Sequence, residues 1–397
     1  MSVGPQIFDP LTLPCGTVLQ NRIVKAAMSD VLGDGTGHPT IEQGALYRRW
    51  AKGSVAVSLI GEVQGESGFA ECPGNLVLTE ASDIGRFEQL ASSVDGTGSQ
   101  LWMQLGHAGA LAYEETSTRK GPSALDLPDL HCAELSLAEI EALPGRYGRT
   151  ARLAKASGFG GVQIHAGHGY LLSQFLSPLF NKRLDAFGGS VANRARLLLQ
   201  AITEARAAVG PDFPVAVKLN ATDQLEGGFS EEDALEVITM LDRAGVDLID
   251  ISGGTYFPGA RSASGSASSG GPYFLDFARQ ARHRTDIPLM LTGGFKTFDQ
   301  AESAVAEGVI DVVGLARALV LEPSLPNLWL AGQRIAPAFP KFASTIEGGI
   351  TAWYTMRIAA LGGLIQETEV NDPAEAIAAL NARETEQTAT WLKYFAS

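Results

Sequence analysis

The 397 residues are 45% hydrophobic and 8% aromatic, and 44 Asp and Glu outweigh 30 Lys and Arg to leave a formal net charge of −14. So acidic a chain is poorly matched to a phosphate backbone, which excludes nucleic acid as the expected partner and points to small-molecule chemistry. No apolar run is long and charge-free enough to cross a bilayer, and the opening MSVGPQIFDP lacks both the basic region and the apolar core of a secretory signal, so no membrane association and a cytoplasmic location are expected.

Short apolar runs rich in β-branched residues recur along the chain: IVKAAM at 23–28, SVAVSLIGEV at 54–63, QLWMQLGH at 100–107 and GVQIHA at 161–166. VAVKLN at 215–220, DLIDIS at 247–252, PLMLTG at 288–293 and VVGLAR at 312–317 complete the set. Helical patterns separate them, at 41–52, 82–94, 137–157, 193–209, 230–245, 273–283 and 298–308, with an eighth beginning near Glu322. Several carry their own start signal, as where Ser230 precedes two Glu and an Asp that complement the helix dipole. Near-continuous apolar strands alternating with helices predict a parallel sheet covered by helices, and eight such units predict a closed (β/α)8 TIM barrel, with a doubly wound open sheet as the second choice. Two long stretches, 108–135 and 253–271, fall outside the alternation and are expected as loops over the barrel mouth. The barrel, residues 1–335, is followed by an extension, 336–397, that includes AWYTMRI and a helix over 374–395, expected to pack on the barrel or to reach a neighbouring subunit in a homo-oligomer. Cys15, Cys72 and Cys132 are far apart and never form CxxC, so they are expected as reduced thiols.

In a barrel of this kind the active site is built where the strands end. Unusual polar residues collect there: Ser29 after the first strand, Glu62 ending the second, Gln104 in the third, His165 ending the fourth, Lys218 in the fifth and Arg317 ending the eighth. Val215, Val217 and Leu219 share one face of their strand, which leaves Lys218 on the other with Ala216 and Asn220, facing the barrel interior. A buried cation needs an anion, and with no carboxylate close by in sequence a bound anionic cofactor is the expected partner. His165 is followed by His168 and Tyr170 in the run HAGHGYLLSQFLSPLFNKRLDAFGGS at 165–190. A metal is not expected, because the run adds only Asp185 as a further ligand. One histidine at a strand end is commonly a structural group. Two with a tyrosine, in a Gly-rich turn, read as an active site.

These segments together, from NRIVKAAMS through MQLGHAG, HAGHGYLLSQFLSP and RLDAFGGSVANRARLLL to VVGLAR, resemble the old yellow enzyme family of flavin-dependent ene-reductases from about Phe8 to Leu321. The resemblance implies non-covalent FMN over the barrel mouth, reduced by NAD(P)H in a ping-pong cycle, and an activated alkene, an α,β-unsaturated carbonyl or nitro compound, as second substrate. It implies that His165 and His168 bind the substrate oxygen and that Tyr170 protonates the carbon. Lys218 would neighbour the flavin N1 and O2, Gln104 would hydrogen-bond the pyrimidine edge, and Ala27, Met28 and Ser29 would lie near O4 and N5. The phosphate would rest on Gly293, Gly294, Ala316 and Arg317. Two residues depart from the family pattern, Ala27 for a proline and Ala110 for an arginine, and the second is expected to reshape the flavin rim or the pocket beside it. GDGTG at 33–37 lacks the spacing of a dinucleotide fingerprint, and the cysteines of the iron–sulfur branch are missing, so the single-domain type is expected. Two rival readings remain at this point: a Schiff-base aldolase built on Lys218, and a flavin-binding protein whose redox activity is incidental.

Overall fold

The structure, a computed structural model, describes residues 4–257, 271–342, 346–366 and 371–395. All eight anticipated strands form: β1 (Ile23–Met28), β2 (Val57–Gln64), β3 (Gln100–Gly106), β4 (Gly161–Ala166), β5 (Val215–Asn220), β6 (Leu248–Ser252), β7 (Leu289–Thr292) and β8 (Val312–Leu315). Each pairs in parallel with its sequence neighbours, and the β8–β1 and β1–β2 pairings close the ring. The open doubly wound sheet is thereby excluded.

Alternation along the strands fills the barrel in layers. At the bottom, an antiparallel hairpin of Leu11–Thr12 and Val18–Leu19 plugs the opening. Its Leu13 and Leu19 pack with Val24, Trp102, Ala216, Leu248, Met290 and Val312. Towards the C-terminal ends of the strands the buried residues turn polar, with Gln104, Gln163, Lys218 and Asp250 all 2% exposed or less. Outside, the remaining strand residues meet the helices in one continuous apolar shell.

The covering helices are α1 (Ile41–Lys52), α2 (Ile84–Ala91), α3 (Leu137–Ala156), α4 (Arg196–Val209), α5 (Glu231–Leu241), α6 (Leu275–Arg282) and α7 (Phe298–Ala306). Local signals set their starts. Thr40 and Ser230 cap α1 and α5, and reciprocal capping boxes, Ser136 with Glu139 and Thr297 with Gln300, open α3 and α7. The expected eighth helix begins just after Glu322, as the short Leu325–Leu330, and a further short helix, Arg317–Leu321, precedes it. Pro323 has no N–H to continue the first helix, and Pro326 sits comfortably in the first turn of the second.

Of the two long loops, 108–135 is more ordered than anticipated. It holds a small sheet of Lys120–Gly121, Leu125–Leu127 and Leu130–Glu134, whose Leu125, Leu130 and Cys132 pack on Ala110, Phe180 and Phe257. The other reaches Phe257, beyond which residues 258–270 lie outside the described residues. The extension supplies α8 (Gly349–Gly362) and α9 (Pro373–Phe395). Tyr354, Ile358 and Leu361 of α8 join the outer shell. From α9, Trp391 packs on Ala70 and Val77, and Gln387 Nε2 donates to the Gly33 carbonyl at 2.7 Å.

Candidate active site

The strand ends open into a cavity of about 510 Å³. Ala27, Met28 and Ser29 line it from β1, and Glu62, Gln104, His165, Lys218, Ser252 and Thr292 line it from β2 to β7. His168, Tyr170 and Tyr256 come from the loops after β4 and β6, and Ala316 and Arg317 follow β8. A second recess of about 280 Å³ shares Ala316, Arg317, Ile350 and Tyr354 with the first and runs between Gly293, Gly294 and Lys296 on one side and Phe339 and Phe342 on the other. Every residue anticipated for the site thus borders one of two adjoining recesses. Ala110 borders neither and packs against the small sheet.

A bulge in β2 shapes one side. The register of β2 against β3 shifts between Ile60 and Val63, and Glu62 takes a left-handed φ of 53°. Gly61 passes so close to the backbone of Met28 and Ser29 that a Cβ would collide with it, and Gly106 leaves room into which the Glu62 carboxyl projects. The carboxyl then meets His165 Nδ1. Burial pushes Glu62 up to about 8, against a hydrogen bond from Gln64, while burial and then the Lys218 charge hold His165 down at about 3. Burial thus disfavours the charged form of each group. With the carboxyl protonated, its O–H donates to Nδ1 and the imidazole carries its proton on Nε2.

That nitrogen lies 3.2 Å from His168 Nδ1, and His168 Nε2 lies 2.9 Å from Ser252 Oγ. His168 itself has φ 59°, costly for a residue with a Cβ. Asn220 Oδ1 holds it there by accepting from its backbone N–H at 3.0 Å. Tyr170, 7% exposed, donates its hydroxyl to Glu71, a residue of the loop after β2.

Lys218 corrects one expectation. The register of β5 against β6 sets it beside Asp250, 2.6 Å from Nζ to Oδ2, so a carboxylate does meet the buried ammonium. Thr292 Oγ1 at 2.6 Å and Gln163 Nε2 at 3.2 Å donate to the same carboxylate, and Gln163 Oε1 accepts from Gln104 Nε2 at 2.7 Å. Asp250 was legible in DLIDIS, since the period of two that buries Ile249 and Ile251 outward points it inward. The ammonium contact nevertheless lacks hydrogen-bond geometry, and among the described residues Nζ has no hydrogen-bond acceptor. It borders the cavity beside that ion pair.

Against this geometry, comparison with known sequences is decisive: the pattern of the NADH:flavin oxidoreductase / NADH oxidase family matches residues 6–332. The chain belongs to that family. Relatives of this flavin oxidoreductase include the NADH-dependent flavin oxidoreductase iliE of Hypocrea jecorina, 34% identical over 80% of this chain and 87% of the relative. The NADPH dehydrogenase of a Geobacillus strain is 31% identical over 81% and 92%. The iliE protein of a Neonectria strain is also 34% identical, over 88% of this chain, but the chain spans only half of that relative's length. Among solved structures, a 2-naphthoyl-CoA reductase complex superposes with a TM-score of 0.77 at 28% identity, over 83% of this chain and 52% of the other. The old yellow enzyme homologue of Zymomonas mobilis shares the fold with a TM-score of 0.73 at 23% identity, over 88% and 99%. Family membership sets aside the aldolase reading, and the ion pair of Lys218 with Asp250 explains that lysine without a Schiff base. Among the described residues no helix is long and apolar enough to cross a membrane.

Proposed function

We propose that this oxidoreductase binds FMN and uses NAD(P)H to reduce activated C=C bonds in a ping-pong cycle. The observation that carries the reading is the meeting of His165, His168 and Tyr170 with the buried Lys218 in one cavity. The residues fit FMN. Lys218 offers a cation and Gln104 an amide to the pyrimidine edge, Ala27, Met28 and Ser29 flank the reacting side, and Gly293, Gly294, Lys296 and Arg317 make an anion-compatible recess adjoining the cavity. When bound, the flavin supplies the hydride.

The chain supplies the rest. His165 donates from Nε2 to the substrate carbonyl or nitro oxygen, and His168 joins it once the Ser252 hydroxyl turns to donate to Nε2, moving the imidazole proton to Nδ1. Polarised in this way, the alkene takes its proton on the α-carbon from Tyr170, on the face opposite hydride delivery. Burial and the Glu71 carboxyl hold the Tyr170 hydroxyl well above the ordinary phenol range, so it remains a proton donor at neutral pH. Relatives named as NADH-dependent and as NADPH dehydrogenases support a nicotinamide reductant of either kind. We take residues 1–335 as the FMN-binding barrel and 336–397 as an extension roofing it, supported by Thr351, Tyr354, Leu380 and Glu384 on the cavity wall.

A visible spectrum of the purified protein, followed by anaerobic NADPH and then cyclohexenone, tests the reading. A flavin band that bleaches and then recovers is expected. A protein still colourless after incubation with FMN overturns the cofactor, and a band that bleaches but recovers with no activated alkene leaves a flavoprotein of incidental redox activity.

A further inference from the structure

Glu71 has no part in the chemistry derived so far, yet it is the group to which Tyr170 is tied. Its Oε2 accepts from the Tyr170 hydroxyl and its Oε1 from Ser29 Oγ. Asn75 fixes the loop around it: Oδ1 accepts from the Glu71 N–H at 3.0 Å, and Nδ2 donates to Ser29 Oγ at 3.3 Å and to Glu71 Oε1 at 3.4 Å. On the same cavity wall stands Glu384 of α9, half-buried and next to the exposed face of that helix.

We propose that Glu71 is the positioning residue that holds the Tyr170 phenol in place and returns the proton Tyr170 gives up in each turnover, drawing it from solvent past Glu384. This rests on the reading of Tyr170 as the carbon acid. The accounting closes. As the α-carbon takes the proton, the Tyr170 O–H bond breaks and its electron pair stays on the phenolate oxygen. The Glu71 acid then gives its proton to that oxygen, and the resulting carboxylate is reprotonated by water-borne protons; the hydride and its electrons belong to the flavin reaction.

Three observations carry the proposal. Tyr170 is only 7% exposed, so little of it meets bulk water. The hydrogen bond to Glu71 is the polar contact of its hydroxyl among the described residues. The charge environment also poises the carboxyl: burial and the neighbouring Glu62 push Glu71 up to about 7, against donors from Ser29, Tyr170 and Asn75. Tyr256, Cys72 and Glu384 also face it, and burial and Glu71 raise Glu384 against the pull of Arg383. Below pH 7 Glu71 carries a proton to return. Above it, a carboxylate faces the forming phenolate, and like charges oppose the transfer.

The holoenzyme tests this in two ways. In stopped-flow reduction of cyclohexenone by the NADPH-reduced enzyme, the wild-type rate is expected to be highest below pH 7 and to fall through an inflection near 7. Glu71→Gln should be slower at pH 6 by about tenfold to a hundredfold and lose the inflection, while Glu71→Asp keeps it. Independently of turnover, infrared difference titration should show a carboxylic acid band lost near pH 7 that is missing in Glu71→Gln and that titrates higher in Tyr170→Phe, where the phenol no longer donates to the carboxylate. A Glu71→Gln enzyme with wild-type rate and pH profile, or a titration unchanged by Tyr170→Phe, overturns the proposal. A wild type that oxidises NADPH but leaves the enone untouched instead refutes the role of Tyr170, and the infrared arm still decides whether Glu71 and the phenol share a proton.

Discussion

Glu62 decides which nitrogen of His165 faces the substrate. Burial disfavours the charged form of both groups, and a protonated Glu62 that donates to Nδ1 leaves Nε2–H for the cavity. Glu62→Gln retains a donor to Nδ1 and is expected to bind phenolic ligands within about threefold of wild type. Glu62→Ala frees the ring to take the other tautomer and should weaken them by about tenfold, a loss within the range for removing one hydrogen-bond partner from a buried group. His165→Ala should weaken them at least as much. Perturbation of the flavin spectrum on titration with a phenol reads all three, and equal affinities for Glu62→Ala and wild type would remove Glu62 from this role. For Tyr170 the two half-reactions separate. Tyr170→Phe should slow alkene reduction by about 10² to 10⁴ while leaving reduction by NADPH within about twofold, and equal loss in both would deny it the proton-donor role.

At the scale of elements, the seam between β1 and α1 holds an unusual group. Lys25 is fully buried, 4.4 Å above the Trp50 ring and 5.7 Å from the Tyr47 ring, and among the described residues its Nζ has no hydrogen-bond acceptor. Burial lowers it to about 7. Below that pH both folded and unfolded chains hold the proton, and folding bears the full cost of burying the charge. Between 7 and the ordinary lysine value only the unfolded chain holds it, so stability rises with pH across that window. Lys25→Met should therefore stabilise the protein by about 1–2 kcal/mol at pH 6.5 and by progressively less towards pH 10; urea unfolding at the two ends of the range checks it, and a constant difference would be the contrary result. The elements themselves were largely legible. Strands such as VAVKLN have the period of two, and the caps Thr40, Ser136, Ser230 and Thr297 mark helix starts, so the side chains that finish each strand could be assigned to the mouth. Asp250 was overlooked because its partner Lys218 is distant in sequence and only the register joins them. Glu71 and Glu384 had no such signal, since one sits in an aperiodic loop and the other on a helix beyond the barrel.

For the molecule as a whole, the extension couples stability to the site. Trp391 is 1% exposed and anchors α9 on Ala70, in the loop that carries Glu71, and on Val77 in the short strand that follows it. Trp391→Ala is expected to cost about 3–5 kcal/mol if α9 unfolds with the barrel. If α9 comes away by itself, the global transition moves less and FMN dissociates faster; chemical unfolding and flavin fluorescence on dilution together separate the cases, and no change in either would mean that α9 does not brace the cavity. The roof also has a place in time. Every barrel strand lies between residues 23 and 315, whereas the wall formed by Thr351, Tyr354, Leu380 and Glu384 is translated afterwards. A ribosome therefore releases the bowl before its cover, so flavin uptake by the nascent chain need not wait for the roof.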